Sequence, residues 1–305
     1  MEFLKNTSWD FLGKRKIAYM ISGALILATI IALIINGGPL YNIDFKGGQV
    51  LEVDFGQPVD ISKVRIIVED AGITDAEIQS IGDGNVVLFR IPTEVEEIDG
   101  KGAGEVVFES LETEFGEGSI DLLRQEIVGP KVSGELRKQA LWATLLAMIG
   151  ILIYVTIRFR FRFAVAAVIA LIHDVIITVG IFTILGKEIS LPVVAALLTI
   201  VGYSINDTIV ISDRIRENSR ILYREKFDDL VNRSLNQTIS RTIITSLVVL
   251  IVLLSIFFFG GRVIHDFSVA LLIGVVVGTY SSVYVVSPIV VAWEKASPKK
   301  IGGKR

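Results

Sequence analysis

Six apolar segments of bilayer length, at about 17–35, 139–157, 163–185, 191–211, 242–259 and 267–292, govern what this chain can fold into. Crossing roughly 30 Å of hydrocarbon takes about 20 apolar residues as a helix, and in lipid a helix satisfies its own backbone hydrogen bonds. The 305 residues are 51% hydrophobic, with a mean hydropathy of +0.61, well beyond the needs of a soluble core. No cysteine is present, which excludes a disulfide framework and a thiolate metal site. The first segment follows Lys14, Arg15 and Lys16. A cleaved signal peptide also starts basic, but this run is too long for its apolar region and no A-x-A site follows, so a retained helix is expected.

The stretch between the first two spans, 36–138, has a different composition, with 21 Asp and Glu against 9 Lys and Arg. It reads as a water-facing acidic domain. The pattern predicts a strand over 49–55, a helix over 61–71, strands over 77–81 and 85–91 joined by a tight Gly82-Asp83-Gly84 turn, a helix over 104–115 and a strand over 120–127. That βαββαβ order is the order of a small α+β, ferredoxin-like domain. The expected architecture is therefore a polytopic α-helical membrane protein, with this domain between the first and second spans.

Lysine and arginine in the short connections set the orientation. Four lie before the first span, three in 158–162, seven in 212–241 and five in the tail from Glu294; the other side has only Lys187 and Arg262. Both termini (1–16 and 293–305) are expected in the cytoplasm and the acidic domain outside it. Within 212–241, Phe227, Leu230, Val231, Leu235 and Ile239 recur at helical spacing, which predicts an amphipathic helix leading into the fifth span.

The residues that could carry chemistry are few. Asp207, beside Asn206 and on one helical face with Ser204, Ile211 and Arg214, is an aspartate in an apolar span. Such a group is costly in lipid, so it faces protein or water, either as a structural partner or as a titrating carboxylate in a proton or sodium path. Arg241 enters the fifth span at a similar depth, and it fits both a counter-ion and a snorkelling anchor. His173 and Asp174 sit midway along the third span: Asp174 is a second carboxylate candidate, and a lone His173 reads first as a hydrogen-bonded core residue. Hydroxyls such as Thr245, Ser246, Thr279, Ser281 and Ser282, and the Gly274–Gly278 pair, read first as helix-packing groups. Asp44, Gly47 and Gly48, just after the first span, read as a hinge. No nucleophile with a base, metal cluster or nucleotide loop is visible, so neither an enzyme nor a cofactor is expected.

These residues together resemble the SecD/SecF family of protein-export membrane proteins, on its SecF side. The resemblance lies in Ile43-Asp44-Phe45-Lys46-Gly47-Gly48, in VGPKVSGELRKQA at 128–140, in His173-Asp174-Val175, in LPVVAALLTIVGYSINDTIVISDRIREN at 191–218 and in NQTISRTIIT at 236–245. It implies half of a resistance-nodulation-division type unit in the bacterial inner membrane, completed by a SecD chain. The implied role is to use an ion gradient to assist preprotein movement after the ATP-driven SecA step. Implied partners are SecD, the SecYEG translocon, an unfolded preprotein and the lipid bilayer, with YajC and YidC as further companions and no nucleic acid. By motif, Asp207 and Arg241 fall on the family's proposed ion pathway, with Asp174 beside it. A passive scaffold for the translocon and a small-molecule exporter of the same superfamily are the rival readings.

Overall fold

The computed structural model describes residues 7–92, 97–98, 100–159 and 161–296. Lys5, Arg160 and the basic tail beyond residue 296, all used in the charge count, lie outside them. Two compact units are present, one of residues 1–40 and 142–305, the other of residues 41–141. In chain order the elements are α1 (Arg15–Ile35), α2 (Ile43–Lys46), β1 (Gly48–Asp54), α3 (Ile61–Asp70), β2 (Glu77–Ile81), β3 (Val86–Ile91), β4 (Glu97–Ile98), β5 (Lys101–Gly102), α4 (Ala103–Phe115) and β6 (Asp121–Val128). Five long helical stretches complete the chain: α5 (Pro130–Arg158), α6 (Phe161–Ile184), α7 (Leu191–Ile221), α8 (Phe227–Phe259) and α9 (Gly261–Ser281), the last continued by a π-helical segment (Ser282–Val286) and α10 (Ser287–Ala296).

Among the described residues, 6 helices are long and apolar enough to cross a membrane. The chain is a polytopic helical membrane protein. Two helices run well past their apolar spans: Ser212–Ile221 prolongs α7 and Phe227–Arg241 opens α8, with only residues 222–226 between them. The amphipathic stretch is thus the first part of α8, with Leu230, Val231, Leu235 and Ile239 buried, and with Asp228 and Asp229 in the first turn where the helix dipole favours acid. His265 and Asp266, just before the apolar segment at 267–292, lie on α9, and Asp266 meets Lys187 at 2.5 Å.

The helical unit packs through small residues. Ala164, Ala166, Ala167 and Ala170 make one side of α6 narrow enough for close approach. On α9, Gly274 faces Ile200 and Gly278 faces Ser204, where a Cβ would stand 3.0 Å from the serine Cβ. The two glycines therefore let α7 and α9 come together and bring their hydroxyls inside.

The second unit is built on a 4-stranded sheet in the order β2-β3-β1-β6, with all neighbouring strands antiparallel. Leu51, Val53, Val87, Phe89 and Ile91 on the sheet meet Val64 and Val68 of α3 and Val107 and Leu111 of α4 to form its core. β4 and β5 pair as a separate two-stranded ribbon that the sequence pattern did not predict. The one-turn α2 is capped by Asn42, whose side chain accepts from the Ile43 amide, and Arg137 donates to the Phe45 carbonyl. Gly47 and Gly48 follow at φ 79° and 119°, and a Cβ on Gly48 would run into the Ile91 carbonyl. These glycines are needed where the chain turns from α2 into the central strand.

Candidate ion-coupling site

Among the described residues of the helical unit, the most connected buried carboxyl group belongs to Asp174. α6 places it at the middle of a span, fully enclosed at 0% exposure, which obliges the neighbouring helices to satisfy it. They do. Ser204 on α7 and Ser281 on α9 both donate to Oδ2, at 2.7 and 2.8 Å, and His173 Nδ1 lies 2.9 Å from Oδ1. The far ring nitrogen, Nε2, is 3.0 Å from the Ser22 hydroxyl of α1. Ser22 is 3.1 Å from the Tyr280 hydroxyl, which donates to the Ala18 carbonyl at 2.7 Å, and the Tyr280 ring stacks on the imidazole at 6.2 Å. Thr208 and Ser282 meet at 3.0 Å beside this network, and Ser282 also donates to the Ser204 carbonyl.

The π-helical segment begins at Ser282. Its wider turn lets Ser287 donate to the Ser282 carbonyl five residues back, just where the polar network meets the last span.

Asp207 stands apart from that network. It is buried, and its Oδ2 has no partner at ordinary hydrogen-bond geometry; the buried Thr242 hydroxyl stands close to the carboxylate but outside that geometry. On α8, Arg241 acts on the carboxylate through its charge and Thr242, beside it, through its hydroxyl, yet among the described residues Asp207 forms no ion pair with Arg241 within 4.0 Å. Arg241 is exposed and, with Asn206, Asp213, Arg214, Glu217 and Gln237, lines a cavity of about 760 Å³ between α7 and α8. Most charges there are already matched: Arg214 with Glu217 at 2.9 Å, and Asp213 with Arg216 at 2.7 Å and Arg158 at 3.2 Å.

Several candidates therefore change position relative to the sequence pattern. Ser204, on the face shared with Asp207, serves Asp174 instead. Thr245 donates to the Arg241 and Thr242 carbonyls of its own helix, which occupies the hydroxyl locally. Asn206 is exposed and turned to the cavity. Asp44, Gly47 and Gly48 belong to the other unit, at the α2–β1 turn.

A family model described as "Protein export membrane protein SecD/SecF, C-terminal" matches residues 107–296, more than half of the chain. The chain belongs to the SecD/SecF family. Among its relatives, the protein translocase subunit SecF of Endomicrobium trichonymphae is 40% identical over 99% of this chain and 96% of its own length. The corresponding subunit of Magnetococcus marinus is 43% identical over 99% and 97%. A crystal structure of SecDF, a translocon-associated membrane protein from Thermus thermophilus, superposes with a TM-score of 0.85 at 39% identity, covering 97% of this chain and 40% of the SecDF chain. This SecD/SecF chain thus corresponds to less than half of that SecDF polypeptide.

The sequence pattern did not single out Ser22, Tyr280, Thr208 or Thr242. Each was visible only as a hydroxyl within an apolar segment. Hydroxyls of this kind pack helices so often that spacing alone does not mark them.

Proposed function

We propose that this chain is the SecF-type half of a two-part export unit. It pairs with a SecD-type chain at the SecYEG translocon and uses a proton or sodium gradient to assist preprotein movement and release after the SecA step. YajC and YidC are companions in the same reading, and the unit drives movement without catalysing a reaction of its own. The positive-inside count supports a bacterial inner-membrane orientation with both termini cytoplasmic. The sheet order β2-β3-β1-β6, carrying two helices, supports reading the soluble unit as a ferredoxin-like, split βαβ domain outside the cytoplasm.

One observation carries the coupling role: Asp207 is buried with an unpartnered oxygen near an arginine that it does not grip. A carboxylate held in fixed ion pairs is a structural group, whereas one with an open oxygen can accept an arriving cation and change its attraction to Arg241. One charge crossing 100 mV gains about 2.3 kcal/mol and a pH unit adds about 1.4 kcal/mol. Helix arrangements that differ by a few kcal/mol respond to changes of that size.

The test is reconstitution of the chain with its SecD partner and SecYEG, followed by late-stage translocation measured after ATP is exhausted, under separate proton and sodium gradients. Asp207→Asn is expected to assemble normally and to lose the gradient-dependent part of translocation. Gradient-dependent export at the wild-type rate in that variant would overturn the reading and favour a passive scaffold.

A further inference from the structure

The contacts around His173 can be counted hydrogen by hydrogen. Four run in a line: Asp174 Oδ1 to His173 Nδ1, His173 Nε2 to Ser22 Oγ, Ser22 Oγ to the Tyr280 hydroxyl, and that hydroxyl to the Ala18 carbonyl, at 2.9, 3.0, 3.1 and 2.7 Å. Each contact requires one hydrogen, and the line ends on a carbonyl, which only accepts. Ser22 and Tyr280 contribute one each. A neutral imidazole contributes one more and an ionised carboxylate none, so three hydrogens face four contacts. One added proton closes the line in either of two ways. His173 becomes an imidazolium beside ionised Asp174, or Asp174 holds the hydrogen toward Nδ1 while Nε2–H donates to Ser22. Both forms leave the pair with net charge zero, which suits a carboxylate at 0% exposure.

We propose that the His173–Asp174 pair is a second proton-binding site, which holds one dissociable proton at mid-span and, when the proton leaves, breaks the continuous line of hydrogen bonds that runs from α6 through α1 to α9. Its part in export rests on the gradient-driven reading above; its existence as a site does not. When the proton departs to solvent the pair changes from zero to −1, and two lone pairs are left facing each other somewhere between His173 and Ala18. The Ser22–Tyr280 contact, the longest of the four, is where the line opens most cheaply. Ser204 and Ser281 still donate to Oδ2, so the carboxylate stays tied to α7 and α9, while α1 keeps only the separate Ser22–His173 and Tyr280–Ala18 contacts, no longer joined through Ser22 and Tyr280.

The charged and titratable groups on the surrounding elements do not substitute for this proton. Arg15 and Tyr19 on α1, Tyr203 and Asp207 on α7, and Tyr284 in the π-helical segment make no hydrogen bond to His173 or Asp174 among the described residues. Asp266 meets both Lys187 and His265 at one end of α9, and Glu294 of α10 pairs with Arg162 near the start of α6. The proton count therefore closes within the four-contact line.

The chain has only 2 histidines, so His265→Gln leaves a single imidazole reporter. Nitrogen-15 NMR of the full chain in lipid nanodiscs, with a purification tag free of histidine, reads both ring nitrogens; carbon-13 labelling reads the Asp174 carboxyl. At pH 7 the expected spectrum shows a protonated Nε2 together with either a protonated Nδ1 or a protonated carboxyl. Tyr280→Phe removes two of the four contacts, so the remaining two are met without the extra proton, and an unprotonated-nitrogen signal should emerge at the same pH. Asp174→Asn should give a neutral imidazole. If either variant fails to fold, Ser22→Ala, which removes only the α1 hydroxyl, provides the same comparison. An imidazole that carries one hydrogen in the wild type beside an ionised carboxyl, unchanged in all variants, would overturn the site. Because this readout needs no gradient and no translocon, its failure is distinguishable from failure of the Asp207 export test.

Discussion

If Ser204 and Ser281 hold the Asp174 carboxylate, removing them one at a time and then together should give a non-additive loss of stability. Both donate to the same oxygen, at 2.7 and 2.8 Å, but Ser281 has a second acceptor in the Gly278 carbonyl at 3.1 Å, whereas Ser204 has no other acceptor among its described contacts. Hydrogen bonds between membrane helices average about 0.6 kcal/mol and reach about 1.7 kcal/mol. Ser204→Ala should therefore cost about 1–1.7 kcal/mol and Ser281→Ala about 0.5–1 kcal/mol, because the Ser281 hydroxyl already divides its donor between two acceptors. The double variant strips Oδ2 of both donors and leaves a buried charged oxygen bare, for which a penalty of about 1–3 kcal/mol applies. The pair should then cost roughly 1 kcal/mol more than the sum of the single changes. Reversible unfolding in lipid bicelles, followed by a double-mutant cycle, measures all three values. Additive costs within about 0.3 kcal/mol would refute the idea that the two serines satisfy one shared oxygen.

Further outcomes follow from other parts of the chain. Gly48→Ala should destabilise the unit of residues 41–141 by at least about 2 kcal/mol, combining a left-handed backbone with a collision at the Ile91 carbonyl. Gly56→Ala, with φ 65° and open space around it, should cost only about 1 kcal/mol, and equal melting losses for the two would contradict the packing argument. The Lys101 ammonium donates to both Glu109 carboxylate oxygens at 2.6 Å, and that bond holds the lysine above its ordinary value of about 10.5. Its contribution is therefore fully present below pH 10.5 and is lost as the pH rises through the raised value. Melting of wild type and Lys101→Met should differ slightly at pH 9 in low salt and converge at higher pH; a difference that grows with pH would reverse the sign. The export test of Asp207→Asn and the imidazole spectra complete the set.

Much of the fold was legible because its signals are local. Apolar length fixed the six spans, and alternation placed β1, β2, β3 and β6 within a residue or two of their observed bounds. The β4–β5 ribbon was missed because two-residue strands carry no periodicity. The candidate site was only partly legible for a different reason. A carboxylate in a span is visible in the sequence, so Asp174, Asp207 and Arg241 stood out, but the order of importance between them depends on what the other helices bring. Ser204 looked like a companion of Asp207 on a helical wheel. Its hydroxyl is committed to Asp174 because Gly278 lets α9 close against α7 at that level.

The two carboxylates occupy opposite electrostatic situations. Asp174 has its oxygens met by Ser204, Ser281 and His173, an arrangement that stabilises a fixed geometry and makes any change in proton count visible as a broken contact. Asp207 has an open oxygen, lies near an arginine at the edge of a polar cavity, and can change its charge without first dismantling a network. Ser204 and Asp207 are three residues apart on α7, about 4.5 Å along the axis, so a movement of that helix acts on both. A cation captured at Asp207 would alter the pull between α7 and α8. Any resulting shift of α7 would move the Ser204 donor relative to Asp174, and through it the line to α1. The coupling has a directional consequence. Ser204→Ala should weaken the influence of Asp207 on the His173 spectrum while leaving Arg241 in place, so the imidazole signals of Ser204→Ala with and without Asp207→Asn should coincide. Asp207→Asn in the presence of Ser204 should shift them, and identical spectra in that background would mean that the two carboxylates act independently.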